Sequence, residues 1–141
     1  MTIKERIKLT KNPETPVETL VELSKDTDWT IRRGVIWNKS TPIDTLVELS
    51  KDESKRVRYW VATNTRVPTN VLIELSRDKD IYVRQKVADN PNTPIKTLVE
   101  LSIDGEASVH RGVARNLKWV MLKQAGIQDK AIAISKYLGI L

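Results

Sequence analysis

The sequence predicts an all-α protein: an α-solenoid, a right-handed superhelix of two-helix units, each 26 residues long. Three observations predict it. Asn12, Asn38, Asn64, Asn90 and Asn116 are spaced by 26 residues. The text after the first four realigns without a gap, as NPETPVETLVELSKD, NKSTPIDTLVELSKD, NTRVPTNVLIELSRD and NPNTPIKTLVELSID. Pro16, Pro42, Pro68 and Pro94 fall at one register of that alignment. A fixed period of this size marks a stack of units, each burying its apolar face against its neighbours.

Residues 1–11 align with the second half of a unit, because Arg6 precedes Arg32, and Leu9 precedes Val35, by the same 26 residues. The array therefore opens on a lone helix and continues through units 12–37, 38–63, 64–89 and 90–115. In each, Thr15, Thr41, Val67 or Thr93 precedes the proline; threonine reads as a helix cap and proline as the first helical position. Glu18 and Asp44 complete or nearly complete capping boxes. The first helix carries Leu20, Val21 and Leu23 in the opening unit and ends by Asp26, Asp52, Asp78 and Asp104. Its shortness leaves a partly 3₁₀ form open.

Each of those aspartates is placed to cap a second helix, whose apolar members are Ile31, Val35 and Ile36, then Val57, Val61 and Ala62. The next asparagine closes it in the left-handed conformation that Asn tolerates. Residues 116–141 form a degenerate closing unit that lacks the threonine–proline signal, with Gly126 as helix stop and Asp129 as cap. The apolar tail at 134–141 reads as a capping helix or a docking surface. With helices ~8–10 Å apart the single domain is on the order of 40 Å long.

Composition narrows the function classes. The chain has 141 residues, 40% of them apolar, a net charge of +6, no cysteine and one histidine, His110. Thiolate metal sites, cysteine-ligated clusters and thiol nucleophiles are excluded, and a histidine metal site has too few ligands. No cofactor is expected. No stretch has the length of a membrane span or the apolar run of a signal peptide, so the expected compartment is the cytoplasm. The positive excess favours acidic partners: nucleic acid, an acidic protein or peptide, or an anionic surface. A small-molecule substrate is not expected, and a monomer is the default.

The string TPxxTLxxLSxDxxxxVRxxVAxN, carried by four copies over residues 12–116, resembles the leucine-rich repeat variant, an α-helical repeat of bacterial proteins. Some members of that family carry a cysteine-ligated iron–sulfur cluster, a property this cysteine-free chain does not inherit. A second resemblance is to HEAT-type repeats, in which an Asp and an Arg six residues apart form a ladder between copies. Asp26 with Arg32, Asp52 with Arg58, and Asp78 with Arg84 match that spacing, and the fourth copy pairs Asp104 with His110. Both resemblances imply a binding scaffold.

Helical periodicity sorts the side chains. Arg32, Arg58 and Arg84 fall within the core arc of the second helix and read as structural. Glu22, Glu48, Glu74 and Glu100 read as a solvated stripe, the first three paired with Lys25, Lys51 and Arg77. The outer arc of the second helices is basic and aromatic. It holds Trp29, Arg33 and Trp37, then Lys55, Arg56, Tyr59 and Trp60, then Tyr82 and Lys86, then Arg111 and Arg115, with Lys4, Lys8 and Lys11 ahead of them. Asp89 is the only acid assigned to it. The tryptophans of this arc either pack between copies or serve a ligand.

Three functions follow. The first is a non-enzymatic scaffold binding nucleic acid or another polyanion, with Lys4, Lys8, Arg33, Arg56, Lys86, Arg111 and Arg115 meeting phosphate and Tyr59, Trp60 and Tyr82 stacking. The second is a protein-interaction adaptor that uses the same aromatic and arginine side chains as anchors. The third is a base-excising enzyme, which needs a carboxylate beside aromatic walls; Asp89 is the sole candidate.

Overall fold

The computed structural model describes residues 1–123, with side chains through Leu117. Gly126, Asp129 and the 134–141 tail lie outside the described residues. Within them the chain is all-α: α1 (Ile3–Lys11), α2 (Val17–Leu23), α3 (Trp29–Trp37), α4 (Ile43–Leu49), α5 (Lys55–Thr63), α6 (Thr69–Leu75), α7 (Ile81–Asp89), α8 (Ile95–Leu101) and α9 (Ala107–Lys123). The odd-numbered helices pack in series, α1 on α3, α3 on α5, α5 on α7 and α7 on α9, and each even-numbered helix packs on the odd one that follows. Leu20, Leu46, Leu72 and Leu98 from the short helices, and Ile31, Val35, Val57, Val61, Val83, Val87 and Val109 from the long ones, fill the core at 0 or 1% exposure.

The short helices have seven residues and are α-helical, with i→i−3 bonds such as Lys25 N–H to Glu22 O and Asp26 N–H to Leu23 O tightening the turn beyond. Their prolines occupy the cap position itself, and no threonine caps them. The expected capping boxes at Glu18 and Asp44 do not form. Instead the threonine turns backwards: Thr15, Thr41 and Thr93 donate their hydroxyls to the carbonyls of Leu9, Val35 and Val87, at 2.7, 2.7 and 2.5 Å. Those carbonyls lie in the last turn of the preceding helix, where each also accepts the N–H of the cap asparagine at 3.1–3.2 Å, so the hydroxyl adds a second bond to the previous helix rather than capping the next.

The asparagines also differ from expectation. Asn12, Asn38, Asn64 and Asn90 have φ between −81° and −70° and extended ψ, so none is left-handed. Their value lies in the side-chain amide. Asn38 donates Nδ2 to Thr10 O and Asn12 O, Asn64 to Ile36 O, Asn90 to Ala62 O and Asn64 O, and Asn116 to Ala88 O and Asn90 O, at 2.7–3.2 Å. Oδ1 of Asn12, Asn38, Asn64 and Asn90 accepts the backbone N–H two residues on, which shapes the turn into the next short helix. Asn116 keeps the donor role but lies inside α9, because no proline or threonine follows it to stop the helix.

A second set of bonds uses the arginines expected to be structural. Arg32, Arg58 and Arg84 fork onto Asp52, Asp78 and Asp104, each twenty residues ahead, with Nε–Oδ2 at 2.7 Å in all three. NH1 of each donates back to the main-chain carbonyl of Asp26, Asp52 or Asp78, six residues behind. Thus the six-residue pairing is made through the backbone, and the carboxylate serves the next copy. Arg6 on Asp26 is an additional first rung. Asp104 belongs to Arg84 rather than to His110, which is exposed. The aspartates do not cap α3, α5 and α7; Asp28 and Asp80 cap α3 and α7 from two residues later, Ser54 holds the α5 cap position without a side-chain bond, and Asp26, Asp52, Asp78 and Asp104 each accept the N–H of the second residue on.

Candidate functional site

Exposure separates the outer-arc residues. Lys4, Lys8, Lys11, Arg33, Lys55, Arg56, Arg111 and Arg115 are exposed, whereas Trp29, Tyr59, Trp60 and Lys86 are half-buried. The tryptophans divide. Trp29 and Trp60, with Tyr59, pack against the core, while Trp37 remains 50% exposed and Tyr82 54%.

The cluster centres on Trp60. Its ring meets Tyr59 edge-to-face at 5.1 Å and Trp37 at 6.0 Å, which fills the seam between α3 and α5. The Arg33 guanidinium lies 5.7 Å from both the Trp29 and the Trp60 ring centres, Arg56 lies 4.9 Å from Trp29, and the Lys86 ammonium 5.4 Å from Tyr59. Tyr59 and Trp60 were expected to stack on a ligand. Their rings instead hold the protein's own cations, because the position equivalent to Trp60 faces the neighbouring helix. At that position α3 and α9 carry Gly34 and Gly112, where an added methyl would collide with the Thr10 side chain or come within 2.8 Å of Ala88 Cβ.

Two acids modify the expected charge. Asp89 is gripped by Arg115 through two bonds of 2.9 Å, with Lys86 at 3.9 Å, so Arg115 is neutralised rather than presented to a phosphate. Asp80 is the acid the helical projection missed: it precedes α7, yet lines a cleft of about 270 Å³ with Lys55, Arg56, Tyr59, Trp60 and Tyr82. Its carboxylate is committed to structure, with Oδ1 accepting the N–H groups of Tyr82 and Val83 and Oδ2 3.1 Å from Lys55 Nζ. Burial works to raise its pKa, but Lys55 and those two N–H groups outweigh it and hold Asp80 below the ordinary carboxylate value. The candidate catalytic acid Asp89 is therefore held by Arg115, and the acid that does sit among aromatic walls is a helix cap.

A larger cleft, about 630 Å³, opens beside α1 and α3 and is lined by Lys11, Arg33, Trp37 and Lys39 among others. Lys39 was not singled out from the sequence, because it follows Asn38 in a turn and helical projection does not reach it.

On the short helices, Glu22, Glu48, Glu74 and Glu100 are all exposed. Lys51 meets Glu48 at 3.6 Å, but Arg77 turns to Glu100 of the next copy at 3.7 Å instead of to Glu74. No helix of the described residues is long and apolar enough to cross a membrane. No protein-family model matches the chain, and the comparison with curated proteins gives no match.

Proposed function

We propose that the chain is an α-solenoid scaffold of 26-residue units, of the leucine-rich repeat variant kind, that binds nucleic acid or a similar polyanion through the outer arc of its long helices. The recurrence of the Asn amide bonds and of the Arg–Asp forks at equivalent positions supports the scaffold reading.

One observation carries the binding reading. Arg33 and Arg56 lie over the Trp29 ring at 5.7 and 4.9 Å from its centre, are exposed, and have no carboxylate partner among the described residues. An exposed guanidinium held near an aromatic ring by cation–π attraction, with no carboxylate on it, has N–H donors left for the fork that matches two phosphate oxygens, and loses less side-chain freedom on binding. Lys4, Lys8 and Lys11 on α1 and Arg111 on α9 extend the positive track. The aromatics of the cluster act as supports for the arginines, so phosphate rather than base edges is the main contact. Such binding is sequence-tolerant and weakens steeply with salt. Titration with random-sequence DNA and RNA across a salt series tests it, and absence of binding at low salt contradicts it.

A further inference from the structure

Trp37 stands apart from its neighbours. Trp29 and Trp60 each carry a guanidinium over the ring; among the described residues no cation lies over Trp37, which is half exposed and touches Trp60 at 74° between ring planes. It lines the cleft of about 630 Å³ beside α1 and α3. That volume falls within the roughly 300–1,000 Å³ of small-molecule sites. The basic side chains of this cleft are Lys11, Arg33 and Lys39, and none of the described residues lining it is an acid. The smaller cleft on α5, by contrast, contains Asp80. Gly34 belongs to the lining too, and the approach of Thr10 to it brings α1 against α3 there. Three cations with no acid beside them among the described residues select an anion, and a half-exposed indole adds affinity for a flat ring.

We propose that this cleft takes one nucleotide, its base stacked on Trp37 and its phosphate met by Lys11, Arg33 and Lys39. The nucleotide is either free or one residue of a single strand; the strand form rests on the polyanion reading above. A duplex keeps its bases stacked and cannot offer that ring, so the cleft distinguishes single from double strands, which the arginine track does not.

The test measures binding to the full chain of oligothymidylate, a duplex of equal phosphate number, adenosine monophosphate, adenosine and inorganic phosphate. The variants are Trp37→Ala and Trp37→Tyr, with circular dichroism as a check of folding. Trp37→Ala is expected to weaken single-strand binding about tenfold while leaving duplex binding nearly unchanged, and Trp37→Tyr, which keeps a ring, to recover most of the loss. Adenosine monophosphate is expected to bind more tightly than adenosine or phosphate alone, through Trp37. Equal losses on both strands, or none on either, overturn the nucleotide site and leave the polyanion reading standing. Trp37-dependent binding of adenosine monophosphate by a chain that retains neither strand at low salt supports the site in its free-nucleotide form and overturns the polyanion reading. A chain that binds none of the probes overturns both.

Discussion

Asn90 donates its side-chain amide to the carbonyls of Ala62 and Asn64, at 2.8 and 3.2 Å, while its own Oδ1 accepts the Asn92 N–H at 2.9 Å. The side chain is 3% exposed, so each of these groups would be without water if the amide were lost. Asn90→Asp keeps the shape but removes both donors and sets a carboxylate against two carbonyl oxygens. The expected loss is about 3 kcal/mol or more, read as a lower urea midpoint of unfolding. A variant as stable as the wild type would show that these bonds do not hold the copies together.

Arg58 is 8% exposed and binds three groups in two turns: the Asp78 carboxylate ahead and the Asp52 and Glu53 carbonyls behind. Removing it leaves Asp78 inside without its cation. Arg58→Ala is expected to cost about 3–5 kcal/mol, whereas replacing Arg58 and Asp78 together by apolar residues is expected to cost less than that single change. Urea unfolding of the three chains checks the order. Arg58→Lys should recover little, because an ammonium cannot supply the fork and the backbone bonds together.

Glycine at two positions gives opposite expectations. A methyl at Gly34 collides with Thr10 across the α1–α3 contact, so Gly34→Ala should destabilise by about 1–3 kcal/mol. Thr10→Ala in the same chain should recover part of that loss. Gly105 has open space around its Cβ position, and Gly105→Ala should be neutral or stabilise by about 0.4–1 kcal/mol. Thermal unfolding of the four proteins separates close packing from backbone entropy.

Acid is expected to destabilise the fold through identifiable carboxylates. The Arg84 fork holds Asp104 below its ordinary value, and the Thr30 hydroxyl does the same for Asp28. A carboxyl lowered in the folded state favours folding wherever it is ionised in both states, and that contribution disappears as pH falls from its unfolded value of about 3.9 through the lower folded one. The urea midpoint should therefore stay level from neutral pH to about 5 and fall steeply below about 4. Asp104→Asn should be less stable at neutral pH and lose less on acidification.

Much of the architecture was legible because it depends on positions that recur. The register of Pro16, Pro42, Pro68 and Pro94 located the short helices, and the apolar spacing of Ile31, Val35 and Ile36 identified the buried face of α3. Partners were harder to read. A threonine before a proline has the sequence of a cap, but Thr41 Oγ1 bonds backwards to Val35 O, which becomes visible only once the turn is folded. The same holds for Asn64, whose amide reaches Ile36 from 28 residues away.

At the candidate site, helical projection found the basic and aromatic residues and missed what lies off the helices. Asp80 enters the α5 cleft from a cap, and Lys39 enters the larger cleft from a turn. Nor does composition reveal that Asp89 holds Arg115 while Arg33 and Arg56 rest on Trp29. Only the geometry separates these arginines.

That separation gives the most direct measurement: the slope of log binding constant against log salt for a random-sequence strand. The wild type is compared with Arg33→Gln/Arg56→Gln and with Arg115→Gln. If the tryptophan-held arginines meet phosphate, the double variant loses about two units of slope, and Arg115→Gln, already neutralised by Asp89, changes it by much less than one. Equal slopes in all three chains, or a larger loss from Arg115→Gln, would contradict the account.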